Sequence, residues 1–132
     1  MKRLLIAGLG NPGDEYANSR HNAGADYIDL LCKNYSLSLE NENQINGSVA
    51  KLKTEEYELI FVVPSTYMNE SGLCISKSKK FFNLNTEEIL VAHDELDLPK
   101  SVIRLKESGG HGGHNGLSNI IDQLKGDNAF KR

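Results

Sequence analysis

The sequence predicts an α/β protein in which helices cover both faces of a β-sheet. Three short apolar runs are typical of buried strands: RLLIAGL (3–9), ELIFVVP (58–64) and EEILVAH (87–93). Segments with helical spacing of apolar residues separate these runs, and strands that alternate with helices form a sheet with helices packed on it. At 132 residues, the chain has the size of one domain.

Composition is that of an ordinary globular protein, with 39% apolar and 25% charged residues. No apolar run approaches the ~20 residues that span a bilayer, and the first ten residues read as a strand rather than a signal peptide, so we expect a cytoplasmic protein without membrane contact. Cys32 and Cys74 form no disulfide or metal pattern and are expected in the core. The net charge of −3 does not by itself indicate nucleic acid, and the basic cluster SKSKK (76–80), taken alone, is more typical of a solvated face.

The first helix is expected after Asn18 or Ser19, either of which can cap it. Its apolar positions recur with helical spacing, at Gly24, Tyr27, Ile28, Leu31 and Tyr35. The stretch NENQINGSVAKLK (41–53) then predicts a loop that leads into a strand. The strongest strand, 58–64, is ended by Pro64.

A second helix is predicted within YMNESGLCISKSKKFF (67–82). Its core-facing positions are expected to be Cys74, Ile75, Phe81 and Phe82, with Lys77 and Lys80 outside. After the strand 87–93, SVIRLK (101–106) predicts a half-exposed strand, and a last helix follows the loop ESGGHGGHNG.

Polar residues follow the predicted strands at the points where the strands end: Asn11, then Tyr67, Met68 and Asn69, then Asp94 and Glu95. His21 lies near the start of the first helix and Asn115 at the start of the last. Ligands of α/β sheets bind beyond the carboxyl ends of the strands. We therefore expect these residues to converge on one edge of the sheet.

A histidine and an aspartate at this edge predict hydrolytic chemistry. The positive end of a helix dipole favours a neutral His21, the form that acts as a general base, and Asp94 can fix its tautomer. No serine or cysteine occurs in a nucleophile-elbow sequence, so water is the expected nucleophile. Asn11, Asn69 and Asn115 offer amide donors and acceptors for a carbonyl or a water. Each residue taken alone also fits a core, cap or turn role.

Two other patterns are weaker. Gly8-x-Gly10-x-x-Gly13 matches a dinucleotide-binding fingerprint, but Pro12 lacks the N–H that a pyrophosphate would use, and the acidic residues about 20 positions on are expected inside the first helix. The pair His111 and His114 suggests zinc, yet it has no third ligand in proper relation. The sequence favours neither a dinucleotide-dependent oxidoreductase nor a metal site.

Four separated motifs, GLGNPGDEYANSRHNAG, VPSTYMNESG, ILVAHDELDLP and GGHGGHNGL, closely resemble bacterial peptidyl-tRNA hydrolases from residue 3 onward. The resemblance implies a single three-layer α/β/α domain with a mixed, mostly parallel twisted sheet. It also implies hydrolysis of the ester between a peptide and the 3′ ribose of tRNA by a monomer, with no metal or organic cofactor.

By the same resemblance, His21 would be the catalytic base and Asp94 its orienting partner. The substrate-binding residues would be Asn11, Tyr16, Met68, Asn69 and Asn115. Lys106 and Arg104 would contact tRNA phosphates.

The family usually continues for about 55 to 65 residues after the position of Arg132, so residues 1–132 are expected to be one domain that lacks its C-terminal third. Two functions remain open at this point: an active hydrolase, or a truncated, catalytically impaired RNA-binding remnant of the same family.

Overall fold

In the computed structural model, the residues described are 2–10, 23–65 and 70–93. They form five strands, β1 (Lys2–Gly8), β2 (Glu40–Glu42), β3 (Gly47–Lys53), β4 (Tyr57–Pro64) and β5 (Ile89–Ala92). Two helices, α1 (Ala23–Asn34) and α2 (Ser71–Phe81), and two 3₁₀ turns, Asn43–Ile45 and Thr86–Glu88, complete the described part. Neither helix in these ranges is long and apolar enough to cross a membrane.

The strands form one mixed sheet in the order β2-β3-β4-β1-β5. β1 pairs in parallel with both β4 and β5, whereas β3 pairs antiparallel with β2 and β4. Among the described strands, β3 therefore runs against the other four. The predicted α/β fold with a mixed, mostly parallel sheet is confirmed.

The sheet separates two hydrophobic layers, because successive side chains of a strand point to opposite faces. On β1, Leu5 and Ala7 pack in the layer that contains Cys74 and Ile75 of α2. Ile6 packs in the other layer, with Ile28 and Cys32 of α1. The two helices thus cover opposite faces, as a three-layer α/β/α arrangement requires.

The predicted strands 3–9, 58–64 and 87–93 correspond to β1, β4 and β5, within a residue or two at each end. The prediction for 41–53 was incomplete. Its first part is not a simple loop, because Glu40–Glu42 pairs antiparallel with Gly47, Ser48 and Val49 to form a hairpin. Asn46 closes that hairpin in the left-handed conformation, at φ 55°.

Three aromatic residues predicted to face the core are instead exposed: Tyr27, Tyr35 and Phe81 are 43%, 51% and 44% accessible. Tyr35 lies beyond the last residue of α1, so the helical spacing does not extend to it. Phe81 and Phe82 are adjacent, about 100° apart around a helix, and only Phe82 is buried. The prediction for both cysteines is confirmed, since Cys32 and Cys74 are buried.

Candidate active site

The carboxyl ends of three neighbouring parallel strands lie at one edge of the sheet. β1 is the middle strand, with β4 on one side and β5 on the other. Gly8 of β1 is opposite Ala92 of β5, and Ala7 is opposite Val62 of β4. The segments that leave these strands therefore begin side by side, as the sequence predicted.

A junction of Leu9, Gly24 and Ala92 joins the end of β1, the first turn of α1 and the end of β5. The backbone N–H of Leu9 donates to the carbonyl of Ala92 at 2.9 Å. The backbone N–H of Ala25 donates to the carbonyl of Leu9 at 3.0 Å. Three segments that are distant in sequence are thus connected by backbone hydrogen bonds, which do not depend on side-chain identity.

Glycine is required at this junction because the backbone of α1 lies so close to the backbone of β1 and β5 that a Cβ would not fit between them. A Cβ on Gly24 would stand 2.7 Å from the amide nitrogen of Leu9 and 2.7 Å from the carbonyl carbon of Ala92. A Cβ on Gly8 would stand 2.7 Å from the carbonyl carbon of Gly24. Gly8, the first glycine of the apparent dinucleotide fingerprint, therefore serves helix–strand packing. Asp26 and Asp29 lie within α1, as expected, and not at the end of a strand.

Besides the ends of β1 and β5 and the first turn of α1, the end of β4 also lies at this edge. The backbone N–H of Ser65 donates to the carbonyl of Asn46 at 2.9 Å, and the Lys77 ammonium donates to Oδ1 of Asn46 at 2.9 Å. Asn46 thus links the end of β4 to α2, which begins at Ser71.

The sequence-predicted site residues lie outside the described residues: Asn11, Tyr16, His21, Met68, Asn69, Asp94, Arg104, Lys106 and Asn115. Their roles stay predictions. Several of them directly adjoin the described residues in sequence: Gly10 precedes Asn11, Glu70 follows Asn69 and His93 precedes Asp94.

The structure adds Gly24, for which the sequence pattern predicted only a place in the apolar stripe of the first helix. A glycine inside a helical pattern costs ~1 kcal/mol relative to alanine, so its presence there is a signal of close packing.

The two buried thiols are poor nucleophiles. Burial raises the pKa of Cys74 to about 12, although a hydrogen bond to Ser78 and the charge of Lys77 act in the opposite direction. Burial also raises the pKa of Cys32, and the nearby Asp29 carboxylate raises it further. Neither thiol forms a thiolate readily near neutral pH. Within residues 2–10, 23–65 and 70–93, no three His, Cys, Asp or Glu side chains are grouped as metal ligands.

The profile of the family described as peptidyl-tRNA hydrolase matches residues 5–132. The chain belongs to the peptidyl-tRNA hydrolase family. It is 52% identical over 97% of its length to the peptidyl-tRNA hydrolase of Coxiella burnetii strain CbuG_Q212, and 48% identical over 97% to that of Actinobacillus succinogenes.

Solved structures of peptidyl-tRNA hydrolases share the fold. The crystal structure of the Acinetobacter baumannii enzyme matches 98% of this chain with a TM-score of 0.91 and 44% sequence identity. A peptidyl-tRNA hydrolase in complex with N-propanol matches equally well, at a TM-score of 0.91. The chain spans 66% of the length of the Coxiella and Actinobacillus relatives and 65% of these two crystallised chains.

Proposed function

We propose that this protein hydrolyses the ester bond between a peptide, or an N-blocked amino acid, and the 3′ ribose of tRNA. The observation that carries the proposal is the junction at the carboxyl edge. There, backbone hydrogen bonds connect the three segments that lead to Asn11, His21 and Asp94. Membership of the peptidyl-tRNA hydrolase family supports the choice of this ester.

In the proposed reaction, His21 accepts a proton from a water molecule, which attacks the ester carbonyl. Asp94 accepts the other imidazole N–H and keeps the histidine in the tautomer that a base needs. The buried thiols do not compete as nucleophiles, because burial disfavours their thiolates. Since an alcohol leaves more readily than an amine, direct attack by water suffices.

The amide groups supply the remaining polar contacts. Asn11 and Asn69 position the substrate and stabilise the carbonyl oxygen as it becomes negative, and Asn115 helps to hold the water and the peptide end. Tyr16 and Met68 flank the cleft around the terminal nucleotide and the peptide.

The tRNA is held through its phosphates, with Lys106 as the principal contact and Arg104 beside it. Phosphate contacts add affinity without sequence choice, which suits an enzyme that accepts many tRNAs. We propose a cytoplasmic monomer that requires no metal or organic cofactor for this reaction.

The test measures release of free tRNA from N-acylated aminoacyl-tRNA. His21→Ala is expected to lower the rate by ~10²–10⁴-fold, because it removes the general base. Asp94→Asn is expected to lower the rate as well. Asp29→Asn, which neutralises an exposed carboxylate on α1, is the matched control and should leave the rate unchanged.

Equal rates for the unmodified chain and His21→Ala would refute the hydrolase proposal. Retention of tRNA on a filter by a chain without His21-dependent hydrolysis would favour the alternative, an RNA-binding remnant of the family.

A further inference from the structure

We infer that Gly24 is a positioning residue of the reaction. By lacking a side chain, it sets the distance between the first turn of α1 and the end of β5, and thereby the distance between His21 and Asp94. The inference rests on the proposed function in so far as these two residues form the catalytic pair.

Gly24 contacts the two segments that lead to the predicted site, the end of β5 and the residue that follows β1. It is buried, and the space where a Cβ would lie is occupied by the backbone of Ala92 and the amide nitrogen of Leu9. Neither obstacle can rotate away as a side chain would. Leu9 and Ala92 are also hydrogen-bonded to each other at 2.9 Å, so they resist separation.

The sequence distances from this contact to the predicted catalytic pair are short. His21 lies three residues before Gly24, and Asp94 lies two residues after Ala92. The end of β5 is fixed by its register with β1, where Gly8 is opposite Ala92. The separation between the first turn of α1 and the end of β5 is therefore the distance that can still change. The contact between Gly24 and Ala92 determines this separation.

A methyl group at position 24 must push α1 away from β5. The nearest obstacle is the carbonyl oxygen of Ala92, which lies closer than the two atoms at 2.7 Å. Its distance would have to grow to the 3.4–4 Å of ordinary contact, a shift of more than about 1 Å. A displacement of this size between catalytic groups costs up to ~10²-fold in rate, even when the substituted residue does not touch the substrate.

A purely structural role for Gly24 predicts a different result. If its replacement only loosened the fold, the rate would fall by the same factor whether or not His21 is present. If Gly24 acts through His21, its replacement should matter only while His21 is there.

The experiment is a double-mutant cycle on the full chain, with N-acylated aminoacyl-tRNA as substrate. Gly24→Ala is expected to lower kcat by ~30–100-fold with KM within about twofold, because the phosphate contacts are not disturbed. In the His21→Ala background, the same substitution should change the residual rate by less than about threefold. An equal loss in both backgrounds would overturn the inference.

Ile75→Ala is the stability control, since it opens the buried layer on the opposite face of the sheet. It should lower the unfolding midpoint at least as much as Gly24→Ala while kcat stays within about threefold of the unmodified chain. A loss of kcat as large as that of Gly24→Ala would show that instability alone explains the effect.

A measurement independent of activity separates this inference from the proposed function. NMR of chains labelled in the histidine ring should show a shift of the His21 ring resonances in Gly24→Ala but not in Ile75→Ala. If the unmodified chain does not hydrolyse the ester, the proposed function is refuted. The NMR comparison still shows whether Gly24→Ala changes the position of α1. An unchanged His21 spectrum in Gly24→Ala would overturn the inference.

If Gly24→Ala does not fold, Gly8→Ala combined with Ile28→Ala replaces it in both measurements. A Cβ at position 8 meets the carbonyl of Gly24, and Ile28→Ala removes the other obstacle, the Cγ1 atom of Ile28. Ile28→Ala alone is the reference for this pair, and relative to that reference the expected and contradicting results are the same.

Discussion

Leu4 and Leu5 are neighbours on β1, yet they experience different environments. Leu5 is completely buried among the residues that pack with α2. Leu4 is only partly buried on the face that carries α1. The difference extends over the described sheet. Twelve buried residues and one partly buried residue form the α2 layer, whereas five buried and eight partly buried residues form the α1 layer.

The α1 layer nevertheless leaves no room for a Cβ at Gly8 or Gly24, where backbone atoms of Gly24 and Ala92 occupy that space. The two faces therefore contribute differently. The α2 layer contains more of the fully buried side chains, whose burial stabilises the fold. The α1 layer holds a helix at a short, fixed distance from the strand ends that lead to the predicted site.

The largest expected difference between the faces is in the stability lost on truncating leucine. Leu5→Ala should lower the free energy of unfolding by about 3–4 kcal/mol, because it leaves a cavity in a fully buried layer. Leu4→Ala removes the same atoms from a partly exposed site and should cost about 1–2 kcal/mol. Urea unfolding of both variants checks this, and equal losses would refute the contrast between the layers.

A smaller effect is expected from pH, through Cys74 in the α2 layer. Its pKa is about 12 in the folded chain against a usual 9.0, so above pH 9 the unfolded chain releases this proton first. Stability should then fall with rising pH until the folded thiol also ionises, by about 2 kcal/mol between about pH 8 and about pH 10.5.

The measurement compares urea unfolding of the unmodified chain and Cys74→Ala across that pH range. The variant is expected to be less stable near pH 8 and to show the shallower dependence, so the two free energies of unfolding converge as the pH rises. Identical slopes would mean that the Cys74 thiol does not contribute to alkaline unfolding.

The smallest effects are expected from ion pairs. Arg3 and Glu58 form a pair at 3.2 Å with side chains 31% and 14% exposed, whereas Lys33 and Asp29 of α1 are 3.5 Å apart and 74% and 60% exposed. Glu58→Gln should cost about 1 kcal/mol and Asp29→Asn less than ~0.5 kcal/mol, since solvent screens exposed pairs. Thermal unfolding at low and high salt tests this; a larger loss from Asp29→Asn would contradict it.

Much of the fold follows from local sequence patterns. Continuous apolar runs predicted β1, β4 and β5 because these strands are covered on both faces. β2 escaped prediction because Glu40, Asn41 and Glu42 carry no apolar signal, and their extended conformation depends on pairing with β3. Tyr27 and Phe81 fitted the helical period but are exposed to solvent. Periodicity does not show how much of a helix surface the sheet covers.

The rule for parallel strands predicts the site at the carboxyl ends of β1, β4 and β5, and the sheet order shows that these three strands are neighbours. The contact of Gly24 with Ala92 was not predictable, because no local pattern relates residues so far apart in sequence. It becomes visible only once α1 is placed on β1 and β5. The roles of His21 and Asp94 stay predictions that the kinetic experiments address.

The hairpin strand β2 affects whether two copies of the protein can associate edge to edge. It forms one edge of the described sheet, is three residues long and carries Glu40 and Glu42. A second copy that tried to extend the sheet there would place carboxylates against carboxylates, which opposes strand addition at neutral pH. The short, acidic β2 strand therefore protects the protein from edge-to-edge aggregation at this side of the described sheet.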